Sequence, residues 1–429
     1  MKFYIHTLGC KVNLYESEAL AAMLINHSYI QVENETEADV IIVNTCTVTS
    51  TSDSKSKKII RSLRKTNNKA ILVAMGCYAQ LNKDELSSLG VDIAVGNNNR
   101  SKIYELINEF QINKQSINLI EDSNNYVKFE ELSLDKLTHH TRGFIKIQDG
   151  CRNFCTYCAI PYARGPIKSR NPESVICEIK HLVENGVKEI IISGINTGTY
   201  GQDLGNITLA SLIKQIIEEV PSLYRIRLSS IELMEITDEL IDVYQNYPQL
   251  ARHLHIPLQG GCDNTLRRMM RKYNTLDYLN KINQIRQTLG DVAITTDYLA
   301  GFVGETEEDF NDSLEFIKTI NFAGMHIFPY SRRKNTVADG LDGHLAPEVI
   351  KQRAKILQTL SKEMMNDYQS KYLGSVTECL VEQKKNGYYV GHTSNYLEVA
   401  IESENDLTNK IVKVKLETIK NNMLIGRKC

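Results

Sequence analysis

The chain has 429 residues, 42% of them hydrophobic, and its 50 Lys and Arg against 52 Asp and Glu leave a net charge of −2. That length predicts roughly two to four domains, and the charge excludes a protein that is basic all over, so any nucleic-acid contact must come from local patches. No long apolar run predicts a membrane span and the start MKFYIHTLGC lacks the layout of a secretory signal, so the ten cysteines are expected in a reducing cytoplasm, as metal ligands rather than disulfides.

Residues 1–112 read as alternating strand and helix. Apolar runs at FYIHTLG (3–9), DVIIVNT (39–45), AILVAMG (70–76) and VDIAVG (91–96) are separated by helical patterns such as YESEALAAMLINH. This predicts a parallel, doubly wound α/β sheet. Cys10, Cys46 and Cys77 each follow one of the first three strands. Such sheets bind ligands just beyond the carboxyl ends of their strands, so the three thiols are expected to meet at one edge. They read as a cluster site; the plainer alternative is three buried structural cysteines. Residues 113–138, rich in Asn, Ser, Asp and Glu and without clear periodicity, read as a linker with one edge strand.

From 139 to 370 the alternation runs on a longer beat. Strand candidates are GFIKIQD (143–149), VKEIIISG (187–194), YRIRLSS (224–230), ARHLHIPL (251–258), VAITTDYLAGF (292–302) and FAGMHIFPYS (322–331), and a last helix over 346–370 is opened by Pro347. Six βα units predict a partial (β/α)6, TIM-like barrel with its active site at the carboxyl ends of the strands. The loop after the first of these strands, CRNFCTYC, packs Cys151, Cys155 and Cys158 into one short run. Soft thiolates select zinc or iron–sulfur clusters. A structural zinc site wants four protein ligands, the fourth here to be found in a residue such as Cys177 or His181. Three cysteines suit a cubane cluster that keeps one iron open. Gly194 ends the second strand and lets backbone approach a ligand closely. Ser229, Ser230 and Glu232 follow the third strand, where they can bind hydroxyl or amino groups, and His253, His255 and Gln259 are candidates for the barrel mouth. Beyond residue 371 the pattern changes to short β runs, VTECLVEQ, KNGYYVGHT, NYLEVAIE, NKIVKVKLETI and NMLIGRKC, which predict a five-stranded barrel of OB-like size over 371–429.

The CxxxCxxC run, with Tyr157 before its third cysteine, resembles the cluster motif of radical S-adenosylmethionine (SAM) enzymes. Together with TLGCKVNLYES (7–17), NTCTVT (44–49), AMGCYAQ (74–80), HLHIPLQGGCDNTLRRMMRKY (253–273), TTDYLAGFVGETEEDF (295–310) and HIFPYSRRKNT (326–336), it makes the chain resemble the radical SAM methylthiotransferases from end to end. Val303 and Gly260 stand where that family commonly has Pro and Ser. The resemblance implies a fold of three parts: an N-terminal domain (1–112) with a second 4Fe–4S cluster on Cys10, Cys46 and Cys77, a radical SAM domain (139–370) and a TRAM β-barrel (371–429). It implies a 4Fe–4S cluster on Cys151, Cys155 and Cys158 whose open iron chelates SAM. Gly194, Asn196, Ser229, Ser230, Glu232, Gly301 and Gly304, with Glu305, are the implied cofactor contacts. Cys177, Cys262, Cys379 and Cys429 are left without a ligand role.

The family divides by substrate. Lys11-Val12-Asn13 after the first cysteine and FPYSRRKNT at 328–336 resemble the branch acting on threonylcarbamoyladenosine, the MtaB type, rather than the isopentenyladenosine branch or the branch modifying a ribosomal protein. The implied reaction uses two SAM molecules to place a methylthio group on carbon 2 of the base at position 37 of tRNA, with an electron donor protein such as flavodoxin or ferredoxin. Local basic groups are compatible with such a partner: a net +2 in 371–429, the run Lys55, Lys57, Lys58, Arg61, Arg64 and Lys65, the group Arg267, Arg268, Arg271 and Lys272, and, as the expected substrate contacts, Arg332, Arg333 and Lys334. The alternative from another class is a metal-stapled, non-catalytic RNA-binding protein.

Overall fold

The computed structural model describes residues 1–132 and 141–429; residues 133–140, the end of the expected linker and the start of the expected central domain, lie outside the described residues. The strands β1 (Lys2–Thr7), β2 (Ile30–Gln31), β3 (Val40–Thr45), β4 (Ile71–Gly76), β5 (Ile93–Ala94) and β6 (Ile117–Asn118) form one parallel sheet in the order β2-β1-β3-β4-β5-β6. Every residue of β3 and β4 is buried, which is why both read as unbroken apolar runs. Helical Leu20, Leu24, Ile103 and Ile107 cover one face of the sheet, and Ile60, Leu63 and Tyr78 the other. The two-residue edge β2 adds to the four strands expected, and β6 is the edge strand expected in residues 113–138. β6 lies in the segment read as linker and pairs with β5.

The central strands are β7 (Arg142–Asp149), β8 (Lys168–Ser169), β9 (Glu189–Gly194), β10 (Arg225–Leu228), β11 (His253–His255), β12 (Ala293–Ala300) and β13 (Gly324–Pro329). β7, β9 and β10 pair in parallel, as do β11, β12 and β13, and the parallel bridge Ile226–Leu250 joins the two sets. The result is the expected partial barrel, a wall of six parallel strands in chain order, with β8 a short antiparallel addition beside β7. Side chains alternate along each strand. Ile145, Ile147, Ile190, Ile192, Ile226, Leu228, Leu254 and Ile294 join the apolar core shared with the helices. The alternate positions, among them Lys146, Gln148, Glu189, Arg225, Arg227, His253, His255 and Asp297, face the hollow of the barrel. Side-chain caps start several of the covering helices: Thr208, Asn274 and Thr306 form capping boxes, and Pro172 opens another helix at its first position.

After the helix Pro347–Ser370 come β14 (Val376–Lys385), β15 (Tyr388–Thr393), β16 (Glu398–Ile401), β17 (Ile411–Lys420) and β18 (Met423–Lys428), a closed barrel in the order β14-β15-β16-β18-β17. Register shifts at Val381–Gln383 and Leu416–Thr418 supply the bends that closure needs. This barrel docks at the amino-terminal end of the central wall. Arg227 donates to the carbonyls of Thr393 (3.0 Å) and Ser394 (3.2 Å), Arg225 to that of His392 (3.2 Å), and Tyr396 stacks on His253 with ring centroids 4.3 Å apart. Both guanidiniums share one buried carboxylate, Glu189, at 3.0 and 2.9 Å. Replacing Glu189 by Ala leaves two buried cations without their counter-charge. We expect a loss of about 3–5 kcal/mol, read as a lower urea midpoint, and a smaller loss for Glu189→Gln.

Candidate metal centres and active site

β7 ends at Asp149, and Gly150 takes φ +77; a Cβ there would fall 1.8 Å from the Pro166 carbonyl oxygen, so the chain turns into the cysteine loop only with glycine. In the loop the Cys151 N–H donates to Gly165 O (3.1 Å) and the Cys158 N–H to Cys155 O (2.9 Å). Three further donors point at sulfur: the Asn153 N–H at Cys151 Sγ, the Ile160 N–H at Cys158 Sγ and Arg271 Nη1 at Cys155 Sγ, each at 3.4 Å. Burial, reinforced by the neighbouring thiols, pushes Cys151 up to about 11 and Cys158 up to about 12. A bound metal takes those protons away, because only the thiolate is a ligand. Among the described residues neither cysteine set brings its sulfurs within 4.8 Å of one another, the spacing that ligands of a single ion would need. Three thiols in one short loop, each with an N–H donor aimed at its sulfur, fit the ligand set of a cluster.

Beside Cys155 lies a cavity of about 280 Å³ whose walls include Asn196, Thr199, Glu232, Glu235 and Arg271. The Asn196 N–H donates to Gln148 Oε1 at 2.8 Å, and Asn196 Nδ2 donates to Glu235 Oε1 at 2.7 Å. Glu232 pairs with Arg271. Gly194 sits behind them, where an added Cβ would meet Gln148 Oε1 at 3.0 Å. Burial pushes Glu235 up to about 7, and its Oε2 has no hydrogen-bond partner among the described residues. Glu235 was not among the residues expected from sequence: one more acid after a strand carries no pattern of its own. Ser229 and Ser230 follow β10 half-buried and do not line this cavity. Gly301 and Gly304 do not reach it either. The open side of Gly301 faces Ile350, and that of Gly304 faces the Arg268 guanidinium.

The second set stands at three neighbouring strand ends. Cys10 is the N-cap of the helix Lys11–Asn26, Cys46 follows β3, and Cys77 opens a short helix after β4. Gly9, at φ +109, leaves only 3.0 Å between an added Cβ and Cys46 Sγ, so the first two loops meet closely. Burial raises all three thiols, with Arg164 opposing the rise at Cys10 and Cys77. Arg164, fully buried, belongs to the central domain. Its Nε donates to Cys77 Sγ (3.2 Å), its Nη1 contacts Glu16 (2.6 Å) and Asp149 (3.1 Å), and its Nη2 donates to Asn13 Oδ1 (2.8 Å). Lys146 and Arg100 complete the group on Glu16 Oε1, at 2.8 and 2.6 Å. A buried ionic joint thus runs from Cys77 to Asp149, the last residue of β7 before the other cysteine loop; sequence reading missed it because an isolated Arg in PYARGP has no periodic or motif signal.

The expected substrate cations divide. Arg333 is buried and spent, donating to Thr47 and pairing with Asp53 beside Cys46; Arg332 pairs with Asp339; Lys334 is exposed. Of the other basic groups, Arg271 is inside the cavity wall and Lys272 donates to Asn153 Oδ1 at 2.8 Å. Lys55, Lys58, Arg61 and Lys65 are exposed. Cys177 and Cys429 are exposed, Cys262 caps the helix Asp263–Arg268, and Cys379 lies in the core of the C-terminal barrel.

Comparison with known proteins agrees with this architecture. Residues 2–96 match the Uncharacterized protein family UPF0004, and residues 145–317 the Radical SAM superfamily. A Bacillus subtilis protein named threonylcarbamoyladenosine tRNA methylthiotransferase MtaB is 40% identical over 96% of this chain and 92% of its own length. A Lachnoclostridium phytofermentans protein named tRNA-2-methylthio-N(6)-dimethylallyladenosine synthase is 33% identical over 99% and 95%. The radical SAM methyltransferase TsrM from Kitasatospora setae superposes with a TM-score of 0.60 at 14% identity, over 79% of this chain and 75% of that one, a likeness of fold alone.

Glu235 gives the site a pH signature. Its folded pKa, about 7, lies above the ordinary 4.5, so its contribution to stability is complete below pH 4.5 and is lost as pH rises through 7. We expect the ligand-free protein to lose on the order of 2 kcal/mol across that window from this group, and Glu235→Gln to remove that part of the slope in urea titrations at stepped pH.

Proposed function

Because the chain belongs to the radical SAM tRNA methylthiotransferases, we propose that it adds a methylthio group to carbon 2 of threonylcarbamoyladenosine at position 37 of tRNA, using two SAM molecules and two 4Fe–4S clusters. The observation that carries this reading is two three-thiol sets at strand ends, with Arg164 donating to Cys77 of one and pairing with Asp149, two residues before Cys151 of the other. Cys151, Cys155 and Cys158 would hold one cluster, and Cys10, Cys46 and Cys77 the other. When bound, the first supplies the electron that splits SAM for hydrogen abstraction, and the second the site of the sulfur to be transferred. Gly194, Asn196 and Glu232, with Glu235, would take the amino-acid end of SAM: a cationic amino group answers the buried, unpartnered Glu235 oxygen. The arginine and backbone donors keep the sulfurs of Cys151, Cys155 and Cys158 oriented. The base must come from the single-stranded anticodon loop, since a stacked duplex hides carbon 2. An electron donor such as flavodoxin or ferredoxin and a cytoplasmic setting complete the proposal. No helix among the described residues is long and apolar enough to cross a membrane.

The dimethylallyladenosine branch is the competing reading, supported by the 33% identical relative. Nucleoside mass spectrometry of tRNA from a deletion strain separates them. The methylthio-threonylcarbamoyl nucleoside should vanish and return on complementation; its persistence with loss of the dimethylallyl counterpart would overturn the assignment. For the clusters, anaerobically purified Cys10→Ala/Cys46→Ala/Cys77→Ala protein should keep about half of the wild-type iron and sulfide. Ala at Cys177, Cys262, Cys379 or Cys429 should leave the iron unchanged. A colourless wild-type protein holding only zinc would sink the cluster reading.

A further inference from the structure

The hollow of the central barrel holds a group of polar side chains that the cluster and SAM sites do not use. Lys11 follows Cys10 directly and opens a helix that packs against β7 and β9, so its side chain enters the hollow from the N-terminal domain. There its ammonium lies within electrostatic reach of two carboxylates, Asp297 and Glu189, and of two guanidiniums, Arg142 and Arg227. The two arginines have partners: Arg227 lies 2.9 Å from Glu189, and Arg142 lies 2.8 Å from Glu382. Lys11 has none. Among the described residues it makes no hydrogen bond or ion pair, and it stays exposed within the hollow. Next to it, on adjacent strands, His255, Asp297 and His326 bring a nitrogen or oxygen each within 4.8 Å of one another. His255 has both ring nitrogens engaged, Nδ1 with Thr295 Oγ1 at 2.9 Å and Nε2 with Asp297 at 3.3 Å, whereas His326 is exposed. The exposed His326 leaves this set open to a polar ligand entering the hollow.

We propose that Lys11, His326 and Asp297 form the receptor for the threonylcarbamoyl arm of the substrate base, with the Lys11 ammonium binding its carboxylate. The inference rests on the threonylcarbamoyladenosine reading above. That arm is a threonine joined to the base through a carbamoyl group, so it carries a carboxylate, a hydroxyl and N–H donors. An ammonium without a counter-ion answers the first, the Asp297 carboxylate accepts from the hydroxyl or N–H, and the His326 imidazole supplies a second polar contact. A dimethylallyl arm is a hydrocarbon and satisfies none of the three. Placing it here would desolvate Lys11 without compensation.

The test compares two anticodon stem-loop RNAs, one with threonylcarbamoyladenosine and one with its carboxylate methyl ester, on the anaerobically reconstituted holoenzyme. Affinity is read by fluorescence anisotropy and turnover as kcat/KM for methylthiolation. Wild type should prefer the acid by roughly 10- to 100-fold, the range of a charged hydrogen bond. Lys11→Gln should lose that preference while keeping its iron and its SAM cleavage, Lys11→Arg should retain it, and His326→Ala should weaken the acid more than the ester. Equal affinity of wild type for acid and ester overturns the proposal whatever the variants do, as does a Lys11→Gln protein that keeps the full preference. Should wild type ignore both RNAs and modify a dimethylallyladenosine stem-loop, the functional reading fails instead.

Discussion

One carboxylate oxygen, Glu16 Oε1, receives three buried cations, Arg100, Arg164 and Lys146, from two domains. Burial alone would raise the Glu16 pKa, yet these three hold it down to about 2. Asp149 and Glu130 add two more carboxylates, and Lys168, whose pKa burial lowers to about 8, a fourth cation. The group therefore carries one positive charge more than its carboxylates neutralise, and Arg164 directs that excess at Cys77. A thiolate there completes the balance. Buried ion networks of this kind add little net stability, but losing one partner strands a charge in the interior at a cost of about 3–5 kcal/mol. The joint therefore acts chiefly on geometry: the first helix and the cysteine loop cannot slide past one another without exposing an unpaired charge.

That fixed joint explains how a domain with its own sheet and cores becomes one wall of another domain's active site. A closed TIM barrel fills its interior with layers of branched side chains. Here the inward positions are Lys, Gln, Glu, Arg and His, and the apolar partners of the same strands face the helices. Polar side chains cannot seal a core, so the hollow stays open and is completed from outside. The helix Lys11–Asn26 covers one approach, and the C-terminal barrel closes the amino-terminal end through Tyr396 and the backbone carbonyls of residues 392–394. The carboxyl ends of the strands, with the cysteine loop, remain the open side.

Periodicity and motif made much of this legible. The buried strands β3, β4, β7, β9 and β12 announced themselves as apolar runs, and the five short β runs after residue 371 are the five strands of the closed barrel. The cysteines were legible because their spacing is rare. What escaped was either too short or too solitary to leave a signal. β2 has two residues, and Arg164, Glu16 and Glu235 are single charges whose partners lie up to 151 residues away. Arg333 shows the converse. In the sequence it is one of three adjacent cations near a strand end; in the fold it is buried against Thr47 and Asp53, holding β13's loop to the Cys46 loop. Linear charge patterns cannot separate a cation that meets a ligand from one that has already met a carboxylate.

The same distinction gives Lys11 its weight. Arg100, Arg142, Lys146, Arg164, Arg225 and Arg227 all lie around the hollow or its joint, and each has a carboxylate within 4.0 Å. A protein that gives these six cations carboxylates yet leaves the Lys11 ammonium without a partner among the described residues has kept that charge for something not part of itself. Water satisfies it in the free protein. A ligand that fills the hollow displaces that water and must replace its contacts, so a neutral, apolar arm is rejected by the desolvation it imposes and an anionic one is rewarded. Discrimination by an unpartnered charge that the ligand desolvates is steeper than discrimination by pocket size, where one methylene is worth only about 1–3 kcal/mol.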